Sequence, residues 1–112
     1  MGHEITLYVG RVFPEMDNWL DVRATFELYK YPYDSALRRV DSIGIPCFFF
    51  GTDGNSRYSQ DKYGVPLHAI PAEVVIAAMK EDGGHWCLPS LEALKANFDE
   101  WRNDLRVVLY GH

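Results

Sequence analysis

Leu20-Asp21-Val22-Arg23-Ala24-Thr25-Phe26-Glu27-Leu28 alternates apolar and polar residues without a break. Side chains on a strand point to opposite faces with period two. The spacing therefore predicts a strand whose Leu20, Val22, Ala24, Phe26 and Leu28 enter a core while Asp21, Arg23, Thr25 and Glu27 meet water. A strand with one wet face belongs to a sheet covered mainly on one side.

Upstream, Ile5, Leu7 and Val9 alternate with Thr6, Tyr8 and Gly10, which predicts a first strand over residues 4–12. Phe13-Pro14-Glu15-Met16-Asp17-Asn18 joins the two as a turn, because proline fixes φ and Asp-Asn favours local side-chain bonds. An antiparallel hairpin follows. Its loop brings Glu15, Asp17 and Asp21 close together and is flanked by Phe13 and Trp19. Those rings either cap the core beside solvated acids or form a contact surface with them.

Downstream, Tyr29-Lys30-Tyr31-Pro32-Tyr33 ends the strand, and Asp34 or Ser35 stands where an N-cap belongs. Ala36, Leu37, Val40 and Ile43 recur at helical spacing up to Gly44, so a short helix is expected. Cys47-Phe48-Phe49-Phe50 is apolar throughout and reads as an interior or doubly covered strand. Residues 51–64 are polar and lack periodicity, and Asp53-Gly54-Asn55 supplies turn chemistry. That segment is either a hairpin, with residues 56–59 pairing back on the Phe run, or one long surface loop. After a short extended piece at residues 65–70, Pro71 opens a mostly buried helix that stops at Gly83-Gly84. Ser90 is the expected cap of a second helix, in which Leu91, Leu94, Phe98, Trp101 and Leu105 form one stripe. Arg106-Val107-Val108-Leu109-Tyr110 closes as a strand. These elements predict a single α+β domain. Its sheet has four to five strands, mostly antiparallel or mixed, with two to three helices packed on one face.

The 112 residues hold one core, and 14% aromatics with 47% hydrophobics argue for a packed globule. A net charge of -5, with Arg38-Arg39 the only adjacent basic pair, speaks against nucleic acid as a partner. The longest uncharged apolar run, residues 43–51, contains a proline and falls far short of the roughly 20 residues that span a bilayer, so no membrane partner is expected. No signal peptide pattern precedes the first strand, which makes a reducing cytoplasm with Cys47 and Cys87 as buried thiols the expectation. The opening Met1-Gly2-His3-Glu4-Ile5-Thr6 fits the loose pattern for acylation on Gly2.

No G-x-S-x-G, Walker A or G-x-G-x-x-G motif occurs, and no catalytic residue is assigned. His85 and Cys87, two apart on an extended segment, with His68 elsewhere, are the candidate metal ligands. Structural zinc sites normally present paired C-x2-C ligands, so a partly buried Cys87 beside a surface His85 outweighs the metal reading, and no cofactor is expected. The candidate binding residues are Arg57, Tyr58, Asp61, Lys62 and Tyr63, because long polar segments carry function and these combine charge with flat apolar area.

Asp61-Lys62-Tyr63-Gly64-Val65-Pro66-Leu67, followed by Pro71-Ala72-Glu73 and a short apolar helix, resembles stretches of small uncharacterised proteins of phages and prophages. The resemblance transfers no site residue and implies a small non-enzymatic accessory protein, often one that acts by binding a host protein. Three function classes follow: a protein-binding accessory or inhibitory module using residues 51–64, a small enzyme or metal protein using His68, His85 and Cys87, and a structural homodimer completed through the apolar helix stripe or the final strand.

Overall fold

The computed structural model describes residues 3–31 and 35–112. Gly2, Pro32, Tyr33 and the expected cap Asp34 lie outside the described residues. The fold is α+β in a single small domain. Strand β1 (His3–Phe13) turns through one 3-10 turn (Pro14–Met16) into β2 (Trp19–Tyr31). There follow α1 (Ala36–Arg39), a second 3-10 turn (Asp41–Ile43) and the short strands β3 (Ile45–Pro46), β4 (Phe49–Phe50) and β5 (Arg57–Tyr58). The chain then runs through β6 (His68–Pro71), α2 (Ala72–Glu81), α3 (Leu88–Glu100) and β7 (Arg106–Gly111). Among the described residues five strands form one antiparallel sheet in the order β2-β1-β7-β6-β3, and β4 pairs with β5 alone.

The hairpin expected at the start is present, with Asp17 and Asn18 taking the left-handed backbone that short polar side chains tolerate (φ 56° and 63°). Its single apolar stripe, however, serves two cores. Val9 lies opposite Ala24 and Gly10 opposite Val22, so Arg23 is an extra residue that bulges from β2. One extra residue reverses the phase of the alternation. Ala24, Phe26 and Leu28 therefore pack with Ile5, Leu7, Val9, Val107 and the residues of α2 and α3, whereas Leu20 and Val22 turn to the opposite face, against Val108, Cys47, Phe49 and Leu67. Gly10 makes the pinch possible: a Cβ there would stand 1.9 Å from the Asp21 carbonyl oxygen. The helices cover one face as expected, and residues 47–67 cover part of the other.

Three further expectations are corrected. Cys47-Phe48-Phe49-Phe50 is not an interior strand of the sheet. Cys47 and Phe49 lie on the sheet's second face, Phe49 and Phe50 pair with Tyr58 and Arg57, and Phe48 makes a single parallel bridge to Trp19. The second long helix starts at Leu88, before Ser90, because Pro89 fits the first turn, whose N–H groups lack helical partners anyway. That helix ends at Glu100, so Trp101 leaves the stripe and is 71% exposed, while Leu105 enters the core from the following loop. Finally, β7 is an interior strand between β1 and β6, and the Lys62 N–H bonds the Gly111 carbonyl (3.1 Å), so β7 is not the open edge that a dimer joined through the final strand would need.

Ser35 caps α1, accepting the Arg38 N–H (3.3 Å). A second carboxylate comes from far along the chain. Asp82, just past α2, accepts the N–H groups of Ala36 (2.8 Å) and Leu37 (3.2 Å) and ties the two helices together.

Candidate functional site

Residues 51–58 form a built hairpin rather than a loose loop. Asp53 Oδ1 accepts the N–H groups of Asn55 and Ser56 (2.9 Å each), and Oδ2 accepts the Ser56 hydroxyl (2.6 Å). Those bonds, the Ser56 hydroxyl foremost, hold the Asp53 carboxyl down to about 2. Gly54 supplies the positive φ (74°), and the Gly51 N–H closes the turn on the Ser56 carbonyl (2.8 Å). Successive strand residues face opposite ways, so β4 sends Phe49 inward and Phe50 outward.

Phe49 stacks on Tyr8 (4.3 Å between centroids) and meets Tyr58 (5.6 Å) and Tyr110 (6.1 Å). This ring cluster fastens the hairpin to the sheet, aromatic pairs of this kind contributing about 1 kcal/mol each beyond their burial. It also crowds the phenol groups. Burial first, then Tyr110 and Tyr58 as neighbouring acids, raises the Tyr8 hydroxyl above its ordinary range; burial and Tyr58 do the same to Tyr110.

Phe50 is 42% exposed and stands in a row of rings assembled from two turns. Phe13 stacks on Trp19 (5.3 Å, 23°), Trp19 meets Phe50 (6.4 Å), and Phe50 meets Phe48 edge-on (5.4 Å). Each end carries a guanidinium: Arg11 lies 4.6 Å from the Phe13 centroid and Arg57 3.7 Å from that of Phe48. Two hydrogen bonds lock the turns together, the Leu20 N–H donating to the Phe48 carbonyl (2.8 Å) and the Asn18 side-chain Nδ2 to the Pro46 carbonyl (3.1 Å).

The five candidate binding residues are thus divided among three places. Arg57 closes the ring row. Tyr58, 38% exposed, belongs to the tyrosine cluster and is partly structural. Asp61 builds a second turn, its Oδ1 accepting the N–H groups of Tyr63 (2.8 Å) and Val65 (2.9 Å), while Lys62 and Tyr63 (54% exposed) stand on that turn. Sequence reasoning missed Phe50, Phe48 and Arg11. Phe13 and Trp19 were visible as aromatic shoulders, but nothing in the sequence joined them to a Phe run thirty positions on.

The candidate metal ligands do not converge. His68 lies on β6 with a buried Nδ1 that has no hydrogen-bond partner among the described residues, beside Asp41, whose carboxyl is raised chiefly by burial. His85 and Cys87 occupy a turn rather than an extended segment, and Cys87 is fully buried at the start of α3, its thiol raised by that burial. Cys47 is pushed up to about 12, again chiefly by burial, which makes it a poor nucleophile. Among the described residues no group of three or more His, Cys, Asp or Glu is placed to hold a metal ion.

The geometry defines an α+β domain whose second sheet face carries a braced aromatic hairpin. No protein-family model matches the chain, and no curated protein or solved structure matches it either.

Proposed function

We propose that this chain is a non-enzymatic protein-binding module of the accessory or inhibitory kind, and that the ring row from Phe13 to Phe48 is its contact surface. The observation that carries the reading is Phe50, a large apolar ring held at the surface between Trp19 and Phe48, with Arg57 beside it. Aromatic and arginine side chains dominate interface hot spots. Rings braced against one another lose little rotamer freedom on binding, so less of the contact energy is offset by ordering. Met16, also exposed, adds an adaptable apolar neighbour on the first turn. The resemblance of residues 61–73 to small phage and prophage proteins supports an accessory role directed at a host protein.

The test is affinity capture from a cell extract with the intact chain as bait, beside the double variant Phe50→Ala/Arg57→Ala. Both side chains are exposed, so the variant should melt as the parent does. One stoichiometric protein, captured by the parent and lost with the variant, is the expected result. Equal capture by both would move the contact surface elsewhere, and an enzymatic turnover found in the parent would end the non-enzymatic reading.

A further inference from the structure

Beyond Arg11 two adjoining cavities open where the β1–β2 hairpin faces the end of α3. One, of about 500 Å³, is lined by Arg11, Val12, Asp99, Arg102, Asn103 and Asp104. The other, of about 260 Å³, shares Arg11 and Asn103 and adds Phe13, Asp21, Arg23 and Phe98. The lining carries three arginines and three aspartates, yet the pairing is uneven. Asp21 is taken by Arg23 (2.7 Å), Asp99 by Lys95 (2.5 Å) and Asp104 by Arg106 (3.4 Å), the last two cations coming from outside the lining. Arg11 and Arg102 have no carboxylate within ion-pair distance among the described residues. A protein that is negative overall thus holds in one cleft two guanidinium groups that form no ion pair among the described residues.

Arg102 is also strained. It adopts the left-handed backbone (φ 56°) that follows the end of α3, with the Asn103 N–H returning to the Phe98 carbonyl (2.8 Å). Glycine or asparagine usually fills that position. Among the described residues Arg102 is the one left-handed position occupied by neither Gly, Asn nor Asp. Non-glycine residues held so concentrate at functional sites.

We infer that this cleft takes the carboxylate side chains of an acidic peptide segment on the protein partner, with an apolar residue of the same segment resting on Trp19 and Phe50. The inference rests on the protein-binding reading and names the chemistry of the partner. Charge complementarity selects the occupant: one or two carboxylates need only Arg11 and Arg102, in the bidentate geometry that guanidinium offers. A nucleic acid fits less well. Its uniform run of phosphates meets the net charge of -5, and guanidinium groups already lie over Phe13 and Phe48, leaving few free ring faces for stacked bases.

The experiment is selection from a random displayed peptide library on the immobilised intact chain, followed by anisotropy titration of the most enriched peptide, labelled with fluorescein. Enriched peptides should carry Asp or Glu near an aromatic or large aliphatic residue. Arg11→Gln and Arg102→Gly should each weaken binding about tenfold. The glycine variant should melt higher than the parent, because it removes the strain while removing the contact. If Arg102 served only the negative end of the α3 dipole, Arg102→Gly would leave peptide affinity unchanged. Neutral or basic peptides, or peptides that ignore both arginine variants while Phe50→Ala abolishes their binding, would overturn the acidic partner and leave the ring row standing. Failure to enrich any peptide, or enrichment indifferent to Phe50→Ala, would overturn both readings. Tighter binding of a labelled oligo-dT, lost with Arg11→Gln, would assign the cleft to nucleic acid instead.

Discussion

At the scale of single residues, Gly10 decides how the two long strands meet. A methyl group at that position would stand inside the Asp21 carbonyl, and neither backbone can yield without breaking the register on one side of the bulge. Gly10→Ala should therefore destabilise the domain by on the order of 3 kcal/mol, read as a lower urea midpoint at an unchanged slope, against the few tenths usual at surface positions. A loss under about 0.5 kcal/mol would mean that the hairpin slides to a second register at little cost. In the sequence Gly10 occupies an ordinary place in an alternating strand, so its demand was invisible. The partner of the pinch, Arg23, likewise reads as one more wet position. Alternation reports that a residue is half-buried or wet. It does not report which face it meets once an extra residue intervenes, and for that reason the division of Leu20 and Val22 from Ala24, Phe26 and Leu28 could not be read. The buried nature of Cys47 and Cys87 was legible, since both sit among apolar neighbours in the chain itself.

At the scale of elements, α1 shows how little of a helix its own residues need to supply. Four residues are too few to form a stable helix alone. Ser35 caps it locally and Asp82 caps it across forty-six positions of sequence. Asp82→Ala should cost about 1 to 2 kcal/mol of stability by removing two charge-assisted bonds at once, with Asp82→Asn losing less. Amide exchange should accelerate at Ala36 and Leu37 before it does in α2. If those two amides exchange no faster in the alanine variant, the carboxylate is a bystander. Ser35 was legible because a cap acts within its own turn; Asp82 was not, because its work is done in three dimensions. The same distinction separates the hairpin at residues 51–58, announced by Asp53-Gly54-Asn55, from the ring row that it completes.

At the scale of the whole molecule, the response to acid combines groups that pull in opposite directions. The carboxyl of Asp53 is depressed to about 2 in the folded chain, so its contribution is fully present above the ordinary carboxylate range and is lost as pH falls through about 2. Asp41 runs the other way. Burial raises it, so its contribution is present in acid and fades as pH rises through its raised value. Asp53→Asn should accordingly lower the melting temperature at about pH 5 and cease to do so near pH 2; a difference that survives at the lower pH would show that the turn depends on shape rather than charge. The number and type of main elements, the antiparallel character and the packing of helices on one face were legible from periodicity and capping. Strand order was not, since hydrogen-bond partners of an apolar strand leave no mark on its own residues. The interior place of β7 has a consequence for the growing chain. The β1–β2 hairpin can form while synthesis is under way, but β1 keeps one side unsatisfied until residues 106–111 leave the ribosome, so an adhesive strand is on show while the residues between β2 and β7 are being made. Chaperone demand should be greatest just before that final strand arrives.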